Sequence, residues 1–355
     1  MKPLEQARKQ IDGIDGKVLE LLNRRARLAQ RVGEIKRASK AASTWAPHRE
    51  KQVYQRLTRE NPGPFPNEAL MAVYREIMSA SLALEGRPRI AYMGPPMTFS
   101  HLAALSKFGQ SCEYVPVASI PETFAEVEQG RADLGVVPVE NSTEGVIRHT
   151  LDLFVESDLR ICSELTMAIR LCLMSRSGSL KGVTTVVSHP QPLAQARGWL
   201  DKRLPGLKRV EVSSTTVAAQ MAARDGRLAS VGDPRAGRFY GLREVFRNIQ
   251  DKSDNRTRFL VLGRTFSRPS GHDKTSLMLS LRDRVGALAA MLKPFERNRI
   301  SLTSIESRPS RRRPWEYFFF VDFLGHQEDA GVARALKELR AQVVELKVLG
   351  SYPVA

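Results

Sequence analysis

The sequence predicts a multidomain protein: an all-α segment, then an α/β unit, then an α+β unit of ferredoxin-like order. Three observations predict it. A seven-residue apolar repeat runs from Leu4 to Ile35. From Arg89 onward, short β-rich runs alternate with helix-like stretches. From Thr275 the order reads βαββαβ. Turn-rich or polar links at Gly86-Arg87-Pro88 and at FSRPSGHDK divide the chain into residues 1–87, 88–267 and 272–355.

In the first segment Leu4, Ile11, Val18 and Val32 form one row, and Ala7, Ile14, Leu21, Leu28 and Ile35 a second row three residues on. This a/d seam spans more than four heptads. Such a helix is roughly 50 Å long at about 1.5 Å per residue. A small domain cannot cover it, so it calls for a partner, most simply a second copy. Trp45-Ala46-Pro47 breaks the pattern, and Pro47 suits the first turn of a second helix reaching about Glu60. After NPGPFPN, Asn67 is placed to cap a third helix carrying Leu70, Val73, Ile77 and Leu82.

In the second segment RIAYM, EYVPV, LGVVPV, TTVVS, RVEVS and FLVLG read as strands, and Ile120–Glu128 and Pro192–Leu204 as helices. That alternation predicts a largely parallel sheet. In the third, SLMLSLR, ISLTSIESR, WEYFFFVDFL and VVELKVLG read as strands, with helices at Ala287–Arg297 and Val332–Ala341. The Arg311–Arg313 run reads as a solvated hairpin tip.

Composition excludes several classes. No apolar run approaches a membrane span, and MKPLEQARKQ lacks the apolar core of a signal peptide. Cys112, Cys162 and Cys172 show no CxxC spacing, which fits a reducing cytoplasm. There is no HExxH, GxGxxG or Walker-type loop, so neither a metal nor a cofactor is expected. Aromatics at 7% argue against a stacking surface for single strands. The net charge of +17 admits nucleic acid, an acidic partner or small anionic substrates.

Charge placement separates these. Arg25 takes an a position of the seam, and Arg8 and Lys36 lie on the flanking e row. Arg25 could snorkel out of the seam; alternatively an anionic ligand offsets the cost of a cation there. His48-Arg49-Glu50 opens the second helix, and Ser81 and Glu85 share a face of the third. With the LAxxVGxxK stretch after Arg25, this spacing resembles the all-helical chorismate mutases over essentially the whole segment. The resemblance implies an intertwined dimer in which Arg8 reaches the other copy's site. It implies that Arg8, Arg25 and Arg49 hold the substrate's carboxylates and hydroxyl region. Lys36 would donate to the ether oxygen, Glu50 would accept from the hydroxyl, and Ser81 and Glu85 would complete the site.

In the second segment the polar words Thr98-Phe99-Ser100-His101, Pro138-Val139-Glu140-Asn141-Ser142 and Asn255-Arg256-Thr257-Arg258-Phe259 lie at strand ends. Each alone reads as a cap or turn; their repeated placement favours a ligand crevice. With SHPQPLAQA and the Ser214-Thr215 pair they resemble prephenate dehydratase from about Arg89 to Gly263. The resemblance implies two α/β lobes hinged about a cleft, similar to periplasmic binding proteins. It makes Thr257 the group that meets the leaving hydroxyl. Thr98, Ser100, Asn141, Ser188, Gln195, Ser214, Thr215 and Phe259 would surround the prephenate dianion, with Arg258 a carboxylate partner. Met97 stands where that family usually has Gly, and Ser213 where it commonly has Glu.

The last segment resembles ACT regulatory domains. Gly286-Ala287-Leu288 and Glu306-Ser307-Arg308-Pro309 match the phenylalanine-binding version. The resemblance implies phenylalanine as an allosteric inhibitor bound between two such domains. Taken together, the expectation is a cytoplasmic homodimer acting on chorismate and prephenate. The competing reading is a basic nucleic-acid-associated regulator with an amino-acid-sensing domain.

Glu85 yields a test. A carboxyl facing the ether oxygen donates only when protonated, so turnover of chorismate is expected to fall as pH rises. Glu85→Gln is expected to flatten the profile; an unchanged pH dependence in that variant removes Glu85 from this role.

Overall fold

The computed structural model describes residues 3–39, 45–282, 284–309 and 317–355; the Arg311–Arg313 run lies outside the described residues. The heptad repeat forms one helix, α1 (Pro3–Ala38), of which Gly33 is the buried residue. Its seam is bare: Ile11 is 57% and Leu21 62% exposed. α2 (Pro47–Glu60) starts at the expected proline. In α3 (Asn67–Glu85) the cap position falls to Pro66. Asn67 Oδ1 instead accepts from Asn61 Nδ2 at 2.7 Å, bracing the turn. Gly33 lets α1 touch α3, since a side chain there would come within 3.0 Å of Glu85 Cα.

The middle of the chain is two lobes. It lays down β1 (Arg89–Met93), α4 (Phe99–Phe108), β2 (Glu113–Val117), α5 (Ile120–Glu128), β3 (Leu134–Asn141), β4 (Gly145–Val146), α6 (Arg148–Leu153) and β5 (Arg160–Ala168). It then crosses to build β6 (Cys172–Ser175), β7 (Thr185–Ser188), α7 (Pro190–Gln195), α8 (Arg197–Arg203), β8 (Lys208–Glu211), α9 (Thr215–Arg224), β9 (Leu228–Gly232), α10 (Pro234–Phe239) and β10 (Arg243–Phe246). It returns in β11 (Arg256–Gly263). The first lobe has strand order β2-β1-β3-β11-β5, with β4 on β3; the second has β10-β6-β9-β7-β8.

The expected parallel sheet is thus two mixed sheets. β1 is parallel to β2 and β3, and β7 to β8 and β9. β11 runs antiparallel between β3 and β5. It enters from the other lobe, so no crossover helix turns it round. The single helix expected from Pro192 is split in two. The Asp251 carboxylate accepts from the Gly198 and Trp199 N–H groups, both at 2.9 Å, and so starts α8 afresh.

The last unit is β12 (Asp273–Ser280), α11 (Ala287–Arg297), β13 (Leu302–Pro309), β14 (Tyr317–Leu324), α12 (Ala330–Arg340) and β15 (Glu345–Pro353). Its antiparallel order, β13-β14-β12-β15, is the ferredoxin-like arrangement expected. Leu277, Leu279, Val321 and Phe323 pack with the helices, through Phe295 and Leu336. The other sheet face has no helix layer; it lies on the first lobe. Met278, Phe320, Leu349 and Tyr352 join Phe124, Phe154, Leu260 and Leu262 in one core. Each such buried side chain contributes about 1.5–3 kcal/mol. The helical unit is anchored too: Trp45 is buried against Phe108, ring centroids 4.9 Å apart.

Gly350 marks the tightest approach between the last unit and the first lobe. A methyl group there would lie 2.2 Å from the Ile161 carbonyl oxygen. Gly350→Ala is therefore expected to cost about 2 kcal/mol or more, read as a lower urea-unfolding midpoint. An unshifted midpoint would mean that β15 and β5 part freely.

Candidate active site

A cavity of about 190 Å³ lies between the two lobes. Its walls carry Thr98, Ser100, Asn141, Thr257 and Phe259 from the first lobe and Gln195, Ser214 and Thr215 from the second. Eight sequence-predicted residues thus meet in one place. Strand geometry explains part of this: Thr257 and Phe259 are two apart on β11 and face the same side. The Thr257 Oγ1 accepts from Asn141 Nδ2 at 2.9 Å. Asn141 Nδ2 also donates to Asn255 Oδ1 at 2.9 Å. Asn141 Oδ1 is held by the N–H groups of Thr143 and Glu144 at 2.9 and 3.2 Å.

Among the described residues no lysine, arginine or carboxylate side chain appears in the cavity walls. Positive potential comes from helix ends instead. The N-terminus of α4 enters from one lobe, and that of α9 from the other. Thr98 Oγ1 accepts from His101 N at 3.4 Å, and Ser214 Oγ from Val217 N at 3.0 Å. These hydroxyls serve as caps, leaving other first-turn N–H groups for a ligand. Two helix termini facing each other across a cleft suit a small molecule with two anionic groups.

Two imidazoles stand nearby, and both are neutral near pH 7. Burial lowers the His101 pKa to about 4. It stacks on Tyr92 with centroids 4.4 Å apart, and its Nδ1 accepts from Met97 N at 2.9 Å. That bond holds Met97 in the left-handed conformation, φ 69°, that glycine adopts freely. The loop thus keeps its turn despite the bulkier residue. His189 lines the cavity, and burial lowers its pKa more than Glu144 and Glu211 raise it. Ser213, exposed, contributes a hydroxyl to the cavity rim.

Two predicted residues are placed elsewhere. Ser188 is fully buried, and its hydroxyl donates to Val231 O at 2.6 Å, tying β7 to β9. Arg258 follows Thr257 and so points to the opposite face of the sheet. There its guanidinium meets Glu164 at 2.8 Å, Asp322 at 2.7 Å and the Tyr352 hydroxyl at 3.1 Å. Lys274 meets the same Glu164 at 2.9 Å. Ser276 bonds both Asp322 and Tyr352, at 2.5 and 2.6 Å. Arg258 therefore joins the cleft strand to the last unit rather than facing a cleft ligand.

In the helical unit Arg25 bonds the Ser81 hydroxyl, and Lys36 Nζ lies 2.7 Å from the buried Glu85 carboxylate. These four residues come together between α1 and α3. Arg8 and Arg49 are exposed. Arg8 lies seventeen positions before Arg25 on α1, about 25 Å along the axis, too far to join its own chain's cluster. Glu50 faces the first lobe: it accepts from Trp45 Nε1 at 2.9 Å and pairs with Lys107 of α4 at 3.1 Å.

In the last unit Gly286 has φ 78° and opens α11, with Ala287 and Leu288 beside it. On β13, Glu306 and Arg308 face the first lobe, where Arg308 makes a double-pronged pair with Asp152 at 2.8–3.0 Å. Ser307 and Pro309 are exposed on the other face. Within one chain the two words therefore look different ways. Three residues of interest were given no site role in the sequence reading: His189, Glu144 and Asn255. Asn255 stands two before Thr257, so strand alternation was the signal available for it.

Comparison with known proteins agrees with these units. The chorismate mutase type II model matches residues 7–86, the prephenate dehydratase model residues 90–267 and the ACT domain model residues 275–341. A bifunctional chorismate mutase/prephenate dehydratase of Aquifex aeolicus is 48% identical over 360 residues, covering 100% of this chain and 99% of that protein. The structure of prephenate dehydratase from Arthrobacter aurescens in complex with L-Phe superposes with TM-score 0.69 at 32% identity, covering 75% of this chain and 89% of that one. GqqA, described as a novel type of quorum quenching acylase, superposes with TM-score 0.69 at 29% identity, covering 75% and 98%. Fold alone therefore leaves the reaction open; the full-length match narrows it.

The Arg258 cluster has a measurable consequence. Burial would raise the Glu164 pKa, but Arg258 and Lys274 more than offset this and hold it below its usual value. A depressed carboxyl stabilises the fold above its unfolded pKa of about 4.3, and that contribution fades as pH falls through the lower folded value. Arg258→Met is expected to cost roughly 3 kcal/mol at pH 7 and less in acid. Urea unfolding across pH checks this; a pH-independent loss would contradict the charge pairing.

Proposed function

The chain belongs to the bifunctional chorismate mutase/prephenate dehydratase family, and on that premise we propose how its residues divide the work. It isomerises chorismate to prephenate, then converts prephenate to phenylpyruvate with release of carbon dioxide and water. Neither step calls for a cofactor.

The first reaction is a pericyclic shift, so the protein must select a compact conformer and stabilise charge as it develops. Arg25 and Lys36 supply that charge; Ser81 orients Arg25, and Glu85, once protonated, faces the ether oxygen beside Lys36. Substrate displaces the direct Lys36–Glu85 pairing, so that Lys36 reaches the ether oxygen. Glu50 exchanges Lys107 for the substrate hydroxyl, and Arg49 swings in from solvent. Arg8 serves the site of a second copy. The bare α1 seam supports that dimer, because its apolar rows have no cover in one chain.

In the cleft the two carboxylates of prephenate take the N-termini of α4 and α9. As carbon dioxide leaves, its bonding electrons enter the ring and expel the hydroxyl. Thr257 donates a hydrogen bond to that departing oxygen and stabilises its developing charge, and the hydroxide takes a proton from solvent to become water. The observation that carries this reading is the Thr257 hydroxyl in a cavity walled by donors rather than charged side chains. A carboxylate there would oppose both the dianion and the leaving hydroxide.

The last unit senses phenylalanine through Gly286–Leu288 of one copy and Glu306–Pro309 of the other. Exposed Val285, Leu288 and Ile305 would supply apolar surface for that contact. Feedback follows if phenylalanine binds one arrangement of the two better than another. Among the described residues no helix is long and apolar enough to cross a membrane; the reading places the enzyme in the cytoplasm. The nucleic-acid reading gains nothing from Arg25 and Lys36, which are engaged between helices.

The test supplies chorismate and follows prephenate and phenylpyruvate, with and without phenylalanine. Thr257→Ala is expected to abolish phenylpyruvate formation while prephenate still accumulates at a near-normal rate. Retention of both activities in that variant would sink the Thr257 assignment.

A further inference from the structure

We propose that Asn255 and Glu144 are positioning residues for the dehydration step. With Asn141 and Gln195 they form a relay of side-chain hydrogen bonds that directs the Thr257 proton into the cleft. The proposal rests on the reading of Thr257 as donor to the leaving hydroxyl.

The relay is continuous. Asn141 Nδ2 donates to Thr257 Oγ1 and to Asn255 Oδ1, each at 2.9 Å. Asn255 Nδ2 donates to Gln195 Oε1 at 2.9 Å. Gln195 Nε2 donates to Glu144 Oε1 at 3.0 Å. Asn141 and Asn255 are each 2% exposed, and Gln195 and Thr257 each 8%, so water does not readily replace a broken link.

An amide can sit either way round, so the direction of each bond must be forced by something else. Here both ends force it. At one end the Thr143 and Glu144 N–H groups can only donate, so Asn141 must turn its oxygen to them and its NH₂ to Thr257. At the other end a carboxylate can only accept, so Gln195 must turn its NH₂ to Glu144. Asn255, between them, satisfies both only in the orientation seen. Thr257 Oγ1 thus receives a hydrogen, and its own proton has no acceptor among the described residues. The remaining direction is the cleft. Accepting from Asn141 also strengthens the hydroxyl as a donor.

The relay also crosses the cleft. Thr257, Asn141, Asn255 and Glu144 belong to the first-lobe side, and Gln195 to α7 of the second. It is complete only at the lobe separation seen here, so parting the lobes would break it at Gln195.

The experiment uses the full-length enzyme and reads kcat and KM for prephenate, with mutase turnover as the folding control. Glu144 is exposed, so changing it threatens the fold little. Glu144→Gln retains an acceptor and is expected to stay within about threefold of the parent kcat. Glu144→Lys can only donate. It forces Gln195 to turn over and sets two NH₂ groups against each other, so kcat is expected to drop roughly 30-fold. KM stays the same or falls, since a new cation near a dianion aids binding. Asn255→Leu is expected to lose kcat similarly at constant KM. A Glu144→Lys enzyme with parental or higher kcat would overturn the relay. So would losses confined to KM. If Thr257→Ala remains an active dehydratase, the underlying assignment has failed rather than the relay.

Discussion

A β-strand shows successive side chains to opposite faces, and in β11 that constraint joins the parts of the molecule. Thr257 faces the cleft, Arg258 faces the last unit, and Phe259 returns to the cleft. Because β11 lies in the middle of its sheet, hydrogen-bonded to β3 and β5, neither face can rotate independently. Asp322 and Tyr352 thus hold, through Arg258, the residue next to Thr257 on the same strand. The last unit therefore touches the strand that carries Thr257 directly, without a long chain of intermediates.

Charge is distributed by the same economy. On the proposed reading the cleft would hold a dianion without buried cations, using helix termini and amides that need no counter-ion in the empty state. Guanidinium and ammonium groups are instead placed where carboxylates already await them, at Glu164, Asp322, Asp152 and Glu85. A buried arginine in the cleft would be costly before substrate arrived. The high net charge then resides largely on surface positions, α1 foremost.

Much of this was legible in the sequence because it is periodic or local. The seven-residue repeat spelled out α1, and the βαββαβ order spelled out the last unit. The polar words at strand ends named most of the cleft, since helix caps and strand termini are local choices. What remained hidden depends on contacts far apart in the chain. The two lobes were expected from the resemblance alone; the return of β11 between β3 and β5, which divides them, is encoded in no local pattern. Trp45, a helix breaker in the sequence, is an anchor in the core. Arg258 was assigned by chemistry when its neighbour's direction already placed it on the other face. Asn255 looked like a turn residue, and its role emerges only once Gln195 is brought beside it. Arg8 lies too far along α1 to join its own chain's cluster, and Arg49 and Glu50 stand apart from it, in solvent and against Lys107.

The bare seam of α1 separates the two halves of the molecule thermodynamically. The cleft and the last unit bury their cores within one chain, so dilution leaves their folding unchanged. In the dimer proposed above, the long helix would gain its cover from another copy, and the stability of such an element decreases as protein concentration decreases. An enzyme diluted far enough would thus lose its first activity while keeping its second. The abundance of the protein, and not only its end product, would then set the ratio of the steps it carries out.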